Sequence, residues 1–246
     1  MKIAIISDIH SNFEALKEVM NKISDLNIDK IICLGDVIGY GPSPNKCLEL
    51  ILQNTDTILM GNHEFALLHP EYLQFFSSNA KAGINYTKQV LLKHYFLKIN
   101  EFGLTKSIDN LMFSHSCISQ PTSFKYITSI FHAMDEFKFF GDNQILFIGH
   151  THYPIIFEEN SGKYSEIKAD DELEIEFRDG LKYIVNVGSV GQPRNGDSRS
   201  TFFVYETQKK IGRYYKVSYN IDVVYEKIKN IPELPIFLGK RLYKGV

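Results

Sequence analysis

KIAIISDIHSNFEALKEVMNKISDL, residues 2–26, sets the course of the chain. Residues 2–6 are an apolar run of β type that stops short of Asp8. Leu16, Val19, Met20 and Ile23 then recur at helical spacing. Ser11 and Glu14 make a capping-box pattern, which predicts that the helix starts at Ser11. A second apolar run covers residues 30–34, and the Gly/Pro-rich loop GDVIGYGPSP follows at 35–44. Pro44 opens a short helix to about residue 53, and residues 57–60 read as a third strand. Strand, helix, strand, helix, strand with short links is the pattern of a parallel sheet. Its buried strands read as continuous apolar runs, as these do.

Farther along, residues 65–101 turn helical and less regular. Extended to 108, this stretch (65–108) reads as a helical insertion or cap within a single domain of residues 1–246. Residues 111–114 and 145–148 read as further strands, with a helical pattern at 129–140 between them. Beyond His152 the texture changes to short, alternating, turn-bounded strands: YPIIFEE, KYSEI, LEIEFRDG, KYIVNVG, TFFVYET and RYYKVSY. They predict a second, largely antiparallel sheet, closed by a helix at 221–230 and a proline-punctuated tail. The fold class is α/β (α+β), with two sheets and helices outside them.

The 246 residues are 44% hydrophobic and 23% charged, ordinary values for a globular protein able to bury a core without disulfides. The net charge of −2 offers no nucleic-acid-binding signature. Cys33, Cys47 and Cys117 are odd in number and widely spaced, which fits packing residues in a reducing compartment. No apolar run is long enough for a signal peptide's core or a membrane helix, so the expected location is the cytoplasm, without a membrane partner.

The polar residues that follow the strands carry the chemistry. They are Asp8 and His10 after the first strand, Asp36 after the second, and Asn62, His63 and Glu64 after the third. His115 follows a later strand, and His150 and His152 close FIGHTH at 147–152. In open α/β sheets, ligand sites form beyond the carboxyl ends of the strands. Five of the eight histidines sit at such ends, whereas His69, His94 and His132 do not and read as surface or helix residues. On an extended segment His150 and His152 would point the same way. Glycines in GD, GNH and GH would let backbone approach a crowded centre. Asp, Asn and several histidines without cysteine suit manganese, iron, zinc or nickel. They are too many for one tetrahedral ion with an open position, and enough for two ions sharing a carboxylate.

The ordered set DxH, GD, GNHE, H and GHTH resembles the calcineurin-like metallophosphoesterases, and NVGSVGQPR (186–194) is similar to a segment of their small bacterial and archaeal phosphodiesterase branch. The resemblance implies a four-layer αββα sandwich of two mixed sheets flanked by helices. It also implies two divalent transition-metal ions, manganese first, with iron, nickel or zinc as alternatives. One ion would be held by Asp8, His10, Asp36 and His152, the other by Asp36, Asn62, His115 and His150. His150 and His152 would thus serve neighbouring ions. A metal-activated hydroxide would attack phosphorus, and His63 would protonate the leaving oxygen rather than bind metal.

The protein phosphatases that share this motif order carry GDxxDRG, in which a second aspartate orients the catalytic histidine and an arginine grips the phosphate. Here Gly39 and Tyr40 stand at those positions. The expected substrate is accordingly a small phosphoester, a phosphodiester with one negative charge before a monoester with two. Arg194 is the one candidate substrate contact, set against a structural role in its turn. The alternatives are a phosphomonoesterase or protein phosphatase and a non-catalytic protein-assembly scaffold on the same fold; the sequence leaves the oligomeric state open.

Overall fold

The computed structural model describes residues 1–55, 57–169 and 173–246. Its strands and helices alternate at first: β1 (Lys2–Ile6), α1 (Phe13–Ser24), β2 (Lys30–Cys33), α2 (Pro44–Asn54) and β3 (Thr57–Ile58). Then come α3 (Asn62–Leu68), a 3-10 turn (Pro70–Phe75), α4 (Ser78–Val90) and α5 (Lys93–Ile99). β4 (Thr105–Ile108), β5 (Leu111–Ser114), α6 (Ile130–Phe137) and β6 (Ile145–Ile148) follow. The chain continues with β7 (Ile155–Asn160), β8 (Lys163–Lys168), β9 (Glu174–Glu176), β10 (Lys182–Asn186), β11 (Ser200–Glu206) and β12 (Ile211–Val217). α7 (Ile221–Lys229), α8 (Phe237–Lys240) and a 3-10 turn (Arg241–Lys244) complete it.

Two six-stranded sheets result, ordered β3-β2-β1-β11-β12-β9 and β4-β5-β6-β10-β7-β8. Both are mixed. β1, β2 and β3 pair in parallel, and β11 joins β1 antiparallel. The period-2 alternation of each strand sorts its side chains between layers. Ile3 and Ile5 of β1 pack between the sheets with Ile145 and Phe147 of β6. Ala4 and Ile6 turn outward against Leu16 and Val19 of α1 and Leu48 and Ile51 of α2. On the far side, Leu146 and Ile148 meet Ala133 and Phe137 of α6. The layers therefore run helix, sheet, sheet, helix, as the resemblance implies.

Three local expectations change. The late strands do not make a sheet of their own: β7, β8 and β10 complete the sheet begun by β5 and β6, while β9, β11 and β12 extend the one begun by β1. β11 thereby covers the edge of β1 that β2 leaves open, an edge that would otherwise be unpaired. α1 begins one residue later than the capping box predicts, with Asn12 as its cap, accepting the Ala15 N–H at 3.1 Å. Ser11 is held elsewhere: its φ is +54°, and its N–H donates to the Val37 carbonyl at 2.9 Å. Finally, residues 105–108, read with the helical stretch, form the edge strand β4, which pairs with β5. Among the described residues no helix is long and apolar enough to cross a membrane.

Candidate metal centre

The strand ends converge. Asp8 and His10 follow β1, Asp36 follows β2, Asn62 and His63 open α3, His115 follows β5, and His150 and His152 follow β6. All eight are buried. Glu64, in the first turn of α3, is fully buried beside them. The remaining histidines lie away from this centre: His69 pairs with Glu71 at 3.4 Å, and His132 accepts from Thr128 at 3.4 Å.

The donor atoms fall into two linked sets. In the first, Asp8 Oδ1 lies 3.2 Å from His152 Nε2 and 3.8 Å from His10 Nε2, and the two imidazole nitrogens lie 3.1 Å apart. In the second, His115 Nε2 lies 3.2 Å from both Asn62 Oδ1 and His150 Nδ1. Asp36 Oδ2 stands between them, 3.7 Å from His10 Nε2 and 3.4 Å from His115 Nε2. The spacing fits the sharing of Asp36 that the resemblance implies. The ring of His63 is adjacent, its centroid 4.7 Å from that of His10.

These atoms fit cations better than they fit one another. His10 Nδ1 faces the Ile38 carbonyl at 3.2 Å and His152 Nδ1 faces the Gln192 carbonyl at 2.5 Å, so each ring donates from Nδ1 and presents an Nε2 lone pair. Two such lone pairs 3.1 Å apart repel unless a cation serves both. Buried Asp8 Oδ1 and His150 Nε2 have no hydrogen-bond partner among the described residues. Burial would raise both aspartates, but His152 holds Asp8 below the ordinary carboxylate range, and His115 together with His63 does so for Asp36. Burial lowers His150 to about 3 and His63 to about 4. His115 goes the other way, to about 9, because Asp36 outweighs its burial.

The backbone is distorted to bring these groups together. Asp8, His10, Asp36, His150 and His152 all have left-handed φ, between +50° and +65°. His150 and His152 therefore do not lie on an extended segment, and they face different sets: His152 meets Asp8 and His10, His150 meets His115. Gly61 allows a close approach, since a Cβ there would sit 2.1 Å from Asp36 Oδ1. Residues 186–194 brace the loops. Ser189 Oγ and the Gly191 N–H both donate to the Asp8 carbonyl, at 2.8 and 2.9 Å, and Asn186 Nδ2 donates to the Gly149 carbonyl at 2.6 Å.

A cavity of about 590 Å³ opens onto this centre, lined in part by Asp36, Asn62, His63, His150 and His152. The helical stretch contributes Tyr72, Phe75, Phe76, Ser77 and Ala80 to its wall. Arg194 also lines it, so the 186–194 segment does more than turn the chain. A family model described as the calcineurin-like phosphoesterase superfamily domain matches residues 1–210. The chain belongs to that superfamily.

An uncharacterized protein of Methanocaldococcus jannaschii is 36% identical over 248 residues, spanning 99% of this chain and 98% of that one. A metallophosphoesterase from Sphaerobacter thermophilus superimposes with a TM-score of 0.88 at 29% identity, over 100% of this chain and 99% of that one. A hypothetical protein from Pyrococcus horikoshii shares the fold at 17% identity, with a TM-score of 0.80 over 100% and 98% of the two chains. The calcineurin-like assignment makes the chain a phosphoesterase, and the buried His/Asp sets suit divalent metal ions.

The role of one named residue, and the presence of two others at the site, escaped the sequence reading. Glu64 binds three backbone N–H groups of the centre's loops, and its place three residues after Gly61 was the only signal. Tyr126 stacks on His150 with ring centroids 4.0 Å apart, and Arg241 reaches the cavity from the tail. Neither carried a recognisable spacing.

Proposed function

We propose that this protein is a two-metal phosphodiesterase. Asp8, His10, Asp36 and His152 hold one divalent ion, and Asp36, Asn62, His115 and His150 hold the other. The position of Asp36 carries the proposal: a single carboxylate oxygen faces a ring nitrogen of each set. Such ions, when bound, lower the pKa of a coordinated water and offset charge on the phosphoryl oxygens. Nitrogen and oxygen donors suit manganese, iron, nickel and zinc, and the family resemblance puts manganese first.

His63 takes the leaving-group side. Its backbone N–H donates to Asp36 Oδ1 at 2.8 Å, its ring packs against Tyr40 and Phe76, and it lines the cavity. No carboxylate is needed to aim it. A neutral ring can stabilise the leaving oxygen through its N–H as charge builds there. A phosphoryl anion alongside raises the ring's proton affinity and makes it a better acid.

Gly39 supports the choice of diester. A Cβ at that position would lie 2.0 Å from His63 Nδ1, leaving no space for the aspartate a protein phosphatase carries. Tyr40 fills the next position with a ring instead of a guanidinium. Phosphomonoester hydrolysis is the second reading, favoured by Arg194 on the cavity wall. A scaffold role accounts for none of the unpaired buried donors, which are costly to keep. Three buried, free thiols suit a reducing cytoplasm.

A phosphoester panel run with manganese, nickel, zinc, iron and magnesium tests the proposal. Metal-dependent cleavage of bis(p-nitrophenyl) phosphate, faster than that of p-nitrophenyl phosphate, is the expected result. The reverse order would make it a phosphomonoesterase.

A further inference from the structure

Two arginines line the cavity, and neither has a side-chain carboxylate partner among the described residues. Arg194 donates from its terminal nitrogen to Gln192 Oε1 at 3.1 Å, while its buried Nε has no partner. Its guanidinium stands 6.0 Å from the Tyr40 ring centroid. Arg241 comes from the tail, beyond the matched residues 1–210. Its Nε donates to the Val246 carbonyl, and its guanidinium lies 5.6 Å from the Phe237 ring.

Packing brings Arg241 there. Val224 and Ile228 of α7 and Leu234, Leu238 and Leu242 form a separate apolar cluster that Tyr40 and Tyr86 pack against. The tail is thus anchored on the residue beside the metal-centre loop. Burial and the neighbouring Arg194 together lower Arg241 to about 10, the sign of two like charges held close. Two guanidinium groups in one cavity, neither paired with a side-chain carboxylate among the described residues, are costly unless an anion joins them, and their planar forks match phosphate.

The rest of the wall is aromatic. Phe75 is 72% exposed and Tyr126 51% exposed, both on the cavity. Exposed rings beside a basic site are platforms on which a nucleobase stacks.

We propose that Arg194 and Arg241 form a second anion subsite, and that the substrate is a nucleotide phosphodiester carrying a further phosphate, its base lying against Phe75 and Tyr126. The proposal rests on the phosphodiesterase reading. Water's oxygen bonds to the scissile phosphorus, the ester P–O bond breaks, and the leaving oxygen takes up the proton. The second phosphate stays intact and only binds.

Two chromogenic esters test it: the p-nitrophenyl ester of thymidine 5′-phosphate, and the same compound bearing a 3′-phosphate. The wild-type protein is expected to favour the bisphosphorylated ester by about tenfold in kcat/KM, the effect of roughly one charged contact. R241Q is expected to bring that ratio to about one, and R241K to leave it in between. Calorimetry of thymidine 3′,5′-bisphosphate against thymidine 5′-phosphate reads the same preference without turnover. Failure to cleave either ester with any metal would remove the phosphodiesterase reading, yet the calorimetric ratio would still decide the subsite. Equal affinities in the wild-type protein, or a preference that R241Q leaves intact, would overturn it. The wild-type comparison needs no variant to fold.

Discussion

Glu64 Oε2 accepts the backbone N–H of Asp36 at 2.8 Å, from a helix that begins 26 residues after that aspartate. The same oxygen accepts the Gly61 N–H at 3.0 Å, and Oε1 accepts that of Ile38 at 3.0 Å. One carboxylate therefore ties the loop carrying Asp36 to the turn carrying Asn62 and His63. Burial, with the neighbouring Asp36 charge, raises its pKa to about 7. Three charge-assisted bonds to backbone keep so buried an acid in place.

Glu64→Ala should leave three buried N–H groups unpaired, at about 1–3 kcal/mol each. A loss of at least about 3 kcal/mol lowers the melting temperature of a chain this size by roughly 6–12 °C. Thermal unfolding in excess chelator isolates this effect from metal binding. Glu64→Gln keeps one acceptor oxygen and should fall between. An unchanged melting temperature in Glu64→Ala would show that those amides find other partners.

Gly39→Ala should displace the His63 ring, since φ is +88° and the new Cβ would meet Nδ1. An ångström of misplacement at a reacting group can cost about 10²-fold. The expected outcome is a fall in kcat of that order with metal content retained. Full activity would mean that the ring need not occupy the position seen beside Tyr40.

His63→Ala should keep both ions and lose about 10²–10⁴ of kcat, the usual contribution of a general acid. Elemental analysis alongside kinetics separates the two effects. Loss of metal in this variant would move His63 from acid to ligand.

Asp36→Asn should weaken both metal sites together, because its Oδ2 faces His10 on one side and His115 on the other. Calorimetric titration with manganese reads each site. A variant that loses one ion and keeps the other at wild-type affinity would confine Asp36 to a single site.

Much of this was legible in the chain itself. Ile3–Ile6 alternate between two cores while remaining wholly apolar, so β1 announces a strand buried on both faces. The candidate ligands were legible because each follows such a strand, where topology fixes position irrespective of side-chain detail. What stayed hidden depends on contacts distant in sequence. The pairing of β11 with β1 joins residues about 200 apart, and local alternation says nothing of which sheet a strand enters. Ser11 lost the cap to Asn12 because the loop at Val37 claimed its backbone. The facing of His150 and His152 onto separate sets follows from left-handed backbone, which FIGHTH does not reveal. Arg241 reaches the cavity only through the packing of its tail on Tyr40.

The most direct measurement is anomalous diffraction from crystals grown in manganese. Two strong peaks are expected, one among Asp8, His10 and His152 and one among Asn62, His115 and His150, with the Asp36 carboxylate touching both. A lone peak, or seven side chains whose donors enclose no density, would contradict a paired-ion centre.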